Sequence, residues 1–277
     1  MKGKLKIDPV WSKSKEEIWQ ERFGFLPERV APSQPARSFF YRPKAIAVAA
    51  VVILLLVAFP ALYTVKKTAS AGEYIKVELP DGSDVTMNSG TEIKYRPLLW
   101  LLSRNLSLKG EAFFSVKKGS RFTVKTSQGF VSVLGTKFNV YSREDRMSVF
   151  CSEGKVEIKE RGNSVKSNGL YKVVVTPGQS ITIDKLGKVT GFYNSSRINP
   201  SSWTEGTLSF EAIPLSSVLE EICRIYNVKI SYNAPENYIY SGNFKRNLPV
   251  EQVLEIVTKP FSLNFVIEKE EYIISGN

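Results

Sequence analysis

Residues Ala45 to Tyr63 read AIAVAAVVILLLVAFPALY, nineteen positions without a charge. As a helix this run has no polar face, so it cannot pack one side on a core and leave the other in water. At about 1.5 Å per residue it spans roughly 28 Å, close to the ~30 Å hydrocarbon core of a bilayer. Eleven of the nineteen are Leu, Ile, Val or Phe, and insertion gains roughly 3–7 kcal/mol from them. Pro60 falls in the last turn, where a kink costs little. Arg42 and Lys44 bound one end, Lys66 and Lys67 the other. A cleaved signal peptide is the competing reading, because Ala69-Ser70-Ala71 has the small side chains of a cleavage box. A long preceding tail and two intervening lysines argue against it. The expectation is a single retained transmembrane helix over 45–65.

The charge distribution sets the residues before this segment apart from those after it. Net charge is +11 over 277 residues, and residues 1–44 carry ten Lys/Arg against five Asp/Glu. The remaining excess is thinly spread, with no dense basic run interleaved with aromatics, so direct nucleic-acid binding is not expected. A short Lys/Arg-rich tail stays inside, and a large domain translocates largely regardless of its charge. This predicts an inner-membrane protein with a cytoplasmic N-terminus and periplasmic C-terminal domains.

The chain has no histidine. That removes Ser-His-Asp and Cys-His catalysis and the commonest metal ligand. Cys151 and Cys223 match no C-x-x-C pattern and read as two isolated thiols. No enzyme, cofactor or metal site is expected.

The tail holds one helix signal. In WSKSKEEIWQERFGFL, residues 11–26, Ser14 and Glu17 form a capping-box pattern. Ile18, Trp19, Arg22, Phe23 and Leu26 then recur at helical spacing, while Gly24 weakens the helix and Pro27 ends it. About three turns are too few to be stable alone in water, and Trp11, Trp19, Phe23 and Phe25 cannot be buried without help. The segment either lies on a membrane surface or folds against a partner. Its acidic residues favour a protein partner, with Trp11, Ile18, Trp19, Phe23 and Leu26 as the binding residues. A Pro/Arg-rich linker follows to residue 43.

After the membrane segment the period changes to two. YIKVEL, DVTMN, NLSLKG, EAFFSVKK, RFTVKT, FVSVLGT, KFNVYS, MSVFCS, KVEIKE, YKVVVT and SITID alternate apolar and polar residues between turn signals such as Lys109-Gly110, Lys118-Gly119 and Pro177-Gly178. An all-β domain, sandwich or solenoid-like, is predicted over 73–184. Residues 185–202 read as a linker. Residues 203–277 read strand, helix, strand, strand, helix and two strands, a small βαβ-βαββ domain. The chain is therefore expected to be mainly β with an α+β part.

In order, LPDGSDVTMNSGTEIKY, LSLKGEAFFSVKK, RFTVKT, VSVLGTKFNVYS, CSEGKVEI and TPGQSITID resemble the successive blocks of the FecR domain of anti-sigma regulators. The Trp-containing tail and the position of the anchor are similar as well. One departure is the loop PLLWLLS after Tyr95, which is unusually apolar and would either cover the edge of the core or face the membrane. Ile213-Pro214-Leu215 and Leu248-Pro249-Val250 resemble the helix starts of the secretin and TonB short N-terminal domain. The resemblance implies a tail that holds a cytoplasmic sigma factor and a periplasmic part that senses the signalling domain of a TonB-dependent transporter. A membrane-anchored structural or carbohydrate-binding envelope protein is the alternative, which leaves the Trp-rich tail without a purpose. The resemblance also implies a self-cleavage pair at Gly135 and Thr136: a threonine hydroxyl can attack the preceding carbonyl, given a base or an oxyanion donor. The plainer reading is a close backbone approach at Gly135 with Thr136 opening the next strand.

Overall fold

The computed structural model describes residues 12–25, 43–143, 146–160, 172–184, 188–194, 199–233 and 237–276. The chain divides into two units, 1–54 and 55–277.

In the first unit, α1 (Lys15–Phe23) starts where the capping box predicts. The Glu17 backbone N–H donates to Ser14 Oγ at 3.2 Å, and the Ser14 backbone N–H donates to the Glu17 carboxylate at 2.8 Å. These bonds satisfy donors that the first helical turn leaves open. The helix ends at Gly24, before Pro27 is reached. A second helix, α2 (Pro43–Leu62), takes up the charge-free run. Side chains within it are described over 46–56 and at Leu62, and among the described residues no helix is long and apolar enough to cross a membrane.

The chain then enters a β domain built from β1 (Val65–Ala69), β2 (Ile75–Glu78), β3 (Asp84–Met87), β4 (Thr91–Tyr95), β5 (Arg104–Ser115), β6 (Phe122–Lys125), β7 (Gly129–Val133), β8 (Lys137–Arg143), β9 (Arg146–Glu153), β10 (Val156–Glu160), β11 (Lys172–Val175), β12 (Gln179–Asp184) and β13 (Val189–Asn194). They form two sheets that share β5. One runs β11-β10-β7-β6-β5-β4-β1, the other β2-β3-β5-β8-β9-β12-β13. The first half of β5 pairs with β4 and β6, and the second half pairs with β3 and β8.

The changeover falls at Gly110, where φ is +117° and a Cβ would stand 2.7 Å from Thr91 Cα. Only glycine fits there. Lys109-Gly110 is thus a bend inside one long strand rather than a turn between two. The sheets close over a single core in which Phe114 stacks on Phe138 at 5.0 Å and meets Phe122 edge-on. Each such ring contributes roughly 1.5–3 kcal/mol by its burial.

Two strands lie outside the span read as β from sequence. Lys66 and Lys67 belong to β1; in its ladder with β4 Lys66 stands opposite Lys94 and reaches Glu92 diagonally at 2.5 Å. β13 occupies part of the stretch read as linker and pairs with β12 through a register shift at Thr182/Ile183.

The C-terminal part has the expected order: β14 (Thr207–Pro214), α3 (Leu215–Tyr226), β15 (Lys229–Asn233), β16 (Ile239–Lys245), α4 (Val250–Thr258), β17 (Leu263–Glu268) and β18 (Glu271–Gly276). Pro214 and Pro249 are the N-caps of the two helices. β14 pairs with β16, while β15 lies parallel to β18, which pairs with β17. Leu215, Val218, Leu219 and Ile222 of α3 and Val253, Leu254 and Val257 of α4 fill a second core. Both cysteines are free thiols. Burial pushes the Cys151 thiol up to about 11.

Candidate functional site

The tail helix presents its aromatics to solvent. Trp19 and Phe23 are one helical turn apart with ring centroids 4.6 Å from each other, and both are exposed; Ile18 is half-buried. No residue of α1 is buried. Phe25 is exposed as well. Trp11 and Leu26 lie outside the described residues. The helix is fixed by its cap and by a Lys13–Glu21 ion pair at 2.8 Å, with no core behind it. That arrangement is a hydrophobic face without an occupant.

The second site lies where the β domain meets the C-terminal part, and nothing in the sequence pattern points to it. Glu111 follows the bend at Gly110 and sits in the seam. Its two carboxylate oxygens accept from Asn88 Nδ2 and Asn139 Nδ2, each at 2.8 Å. Asn139 Oδ1 accepts in turn from Trp203 Nε1 at 3.2 Å. Asn88 Nδ2 also reaches Glu221 on α3 at 3.4 Å, so one amide bridges carboxylates of both parts. Arg143 of β8 faces Glu221 at 3.7 Å, and Arg224 holds the same oxygen at 2.9 Å.

A second layer surrounds the first. Arg143 donates to the Ser89 and Gly90 carbonyls. Arg246 reaches Ser89 Oγ at 3.1 Å and lies over the Tyr74 ring. The Tyr74 ring meets Trp203 edge-on, and its hydroxyl donates to the Thr204 carbonyl.

Burial, and then the Glu221 carboxylate, push the Glu111 carboxyl up to about 7 against the pull of Arg143, Asn139 and Asn88. A carboxyl that changes charge near neutrality therefore lies inside the joint. Beside it opens a cleft of about 550 Å³ whose lining includes Tyr141, Phe150, Trp203 and Phe210.

Gly135 and Thr136 sit in a tight crossing of three segments. A Cβ on Gly135 would stand 2.8 Å from Lys118 Cα, and one on Gly154 would stand 2.8 Å from Thr136 Oγ1. Thr136 is buried, and its hydroxyl donates to the Lys155 carbonyl at 3.1 Å. Nearby along the chain, Lys137 pairs with Glu153 on the surface and Asn139 belongs to the seam. The geometry of the pair is that of close packing.

With fold and sites in view, two family models match in series. One, described as "FecR protein", covers residues 66–157, and the other, "FecR, C-terminal", covers 207–274. The first runs from β1 into β10 and the second from β14 to β18, and the two matches support a FecR-like family. Among solved structures it is similar to two crystal structures of a candidate anti-sigma factor from Parabacteroides distasonis ATCC 8503. The 2.50 Å structure is 26% identical with a TM-score of 0.70, covering 78% of this chain and 100% of that one. The 1.65 Å structure is 27% identical with a TM-score of 0.69, covering 77% of this chain and 99% of that one. No curated protein matches the chain.

Proposed function

We propose that the protein is a transmembrane anti-sigma regulator: α2 spans the inner membrane, the tail holds an extracytoplasmic-function sigma factor in the cytoplasm, and the folded parts receive a signal in the periplasm from a TonB-dependent transporter. The observation that carries this reading is the capped α1 with Trp19 and Phe23 exposed on one face. A nine-residue helix with no core is too short to persist without a partner, and the two matched structures are of a candidate anti-sigma factor. The charge-free sequence of α2 supports the span. The C-terminal part, matched by the model described as "FecR, C-terminal", is the signalling module of this proposal.

Two experiments test the proposal. In a pulldown with the cognate sigma factor, Trp19→Ala weakens binding tenfold or more, since burying one such side chain contributes roughly 1.5–3 kcal/mol; full retention removes α1 from the interface. A reporter active only in the cytoplasm works when fused before Ala45 and is silent when fused after Lys67. The reverse pattern inverts the topology and with it the function.

A further inference from the structure

The apolar loop between β4 and β5 has two separate halves. Trp100 is buried, edge-on to Tyr95 at 5.6 Å and to Phe122 at 5.8 Å, and it closes the end of the core by itself. Leu98, Leu101 and Leu102 point away from it and are 51%, 98% and 85% exposed. A short 3₁₀ turn at Pro97–Leu99 and the seated tryptophan fix the loop, so these leucines are held outward. Leucines so exposed on a rigid loop call for a covering surface.

The strand register shows where this loop lies. Val65, the first residue of β1, pairs with Tyr95, the last of β4, and Tyr95 pairs with Leu106 near the start of β5. Only Tyr63 and Thr64 separate Val65 from the end of α2. The loop therefore sits at the end of the β domain where the chain arrives from the apolar helix. Across the same sheet Arg104 pairs with Phe122 and Phe122 with Val133, which brings Leu134, 64% exposed, to this end too. Arg96, Lys117, Lys118 and Lys155 are exposed around the leucines. The nearby carboxylates are already engaged, Asp81 by Arg104, Glu153 by Lys137 and Glu157 by Lys172.

We infer that Leu98, Leu101, Leu102 and Leu134 form a membrane-contact surface that seats this end of the β domain in the headgroup layer of an anionic bilayer. The inference rests on the reading of α2 as the span. The chemistry is that of an interfacial anchor: apolar side chains enter the acyl boundary while flanking Lys and Arg meet anionic headgroups. A two-residue junction holds the domain at the surface, so the leucines need supply only orientation.

The test uses the full chain carrying Cys223→Ser, reconstituted in phosphatidylcholine–phosphatidylglycerol vesicles. Cys151 is buried, with its thiol pushed up to about 11, and is not labelled at neutral pH. An environment-sensitive fluorophore is placed in turn at Leu101→Cys, Ile53→Cys and Val266→Cys, and nitroxide lipids quench either near the headgroup or at the acyl centre. The expected result is a blue-shifted Leu101 label quenched best by the shallow nitroxide, an Ile53 label quenched best by the deep one, and an unquenched Val266 label. Replacing phosphatidylglycerol with phosphatidylcholine lowers the shallow quenching at Leu101. A Leu101 label as wet as the Val266 label, with Ile53 still deep, overturns this inference and leaves the span standing. Loss of quenching at Ile53 removes the span and the inference together. A blue-shifted Leu101 label that no lipid quenches, and that reverts on dilution into excess vesicles, assigns the loop to a second copy and overturns the lipid contact.

Discussion

Glu111→Gln tests the joint between the two folded parts. In the unfolded chain this carboxyl ionises near 4.5, and in the folded chain near 7. Between those values the folded state holds the proton that the unfolded state has lost, so stability falls as pH rises through this window and levels off above it. The gap corresponds to ~3 kcal/mol. At ~2–4 °C per kcal/mol for a unit of this size, the melting temperature drops by ~6–12 °C between pH 4.5 and 8. No histidine titrates in the same window. Glu153 and Glu157 have carboxyls held low, first of all by hydrogen bonds from Lys137 and Lys172, and so act at more acidic pH.

The neutral amide removes the charge that burial penalises. Its Oε1 still accepts from one asparagine, but its NH2 faces the N–H of the other, so Asn88 or Asn139 must turn its own amide at a cost of about 1 kcal/mol. The slope of stability with pH is therefore the diagnostic, more than its level. Calorimetry of the full chain from pH 4.5 to 8 gives a falling profile for the native protein and a flat one for the variant. Parallel profiles would refute the argument, because they mean that Arg143 and the two amides keep Glu111 ionised throughout.

Trp203→Phe keeps the ring against Tyr74 but leaves Asn139 Oδ1 without its donor, costing ~1–3 kcal/mol, read as a lower urea midpoint with unchanged slope. Thr136→Ala discriminates cleavage from packing at Gly135. Native protein gives a single intact band on a denaturing gel, and so does the variant; two fragments breaking at Gly135 in the native chain alone would assign chemistry to the pair.

Local signals were readable and remote ones were not. The Ser14–Glu17 box lies within one turn, and α1 begins there. Pro214 and Pro249 mark helix starts because their rings preset the backbone just ahead of the first turn. Glu111 is the opposite case. In KGEAFF it looks like one more solvated charge between strands, while its partners Asn88, Asn139 and Glu221 lie 23, 28 and 110 positions away. The bend at Gly110 was hidden because a glycine after a lysine is spelled the same way in a turn as in a strand crossing from sheet to sheet. β1 was masked by its lysines, which read as flanks of the apolar run, and only the ladder to β4 shows them as strand residues.

The two-residue junction between α2 and β1 also governs enzymatic access. A protease cleft takes up several consecutive residues in extended form, and two residues reach at most about 7 Å. Tyr63 and Thr64 are too few to fill such a cleft, so a cut that draws its extra residues from the folded domain requires β1 to leave its ladder first. β1 is well suited to leaving: it has five residues, lies at the edge of its sheet, and buries only Ala69 completely. The rate of a cut there is then set by how often five residues unzip, a quantity that amide exchange across Val65–Ala69 would read directly.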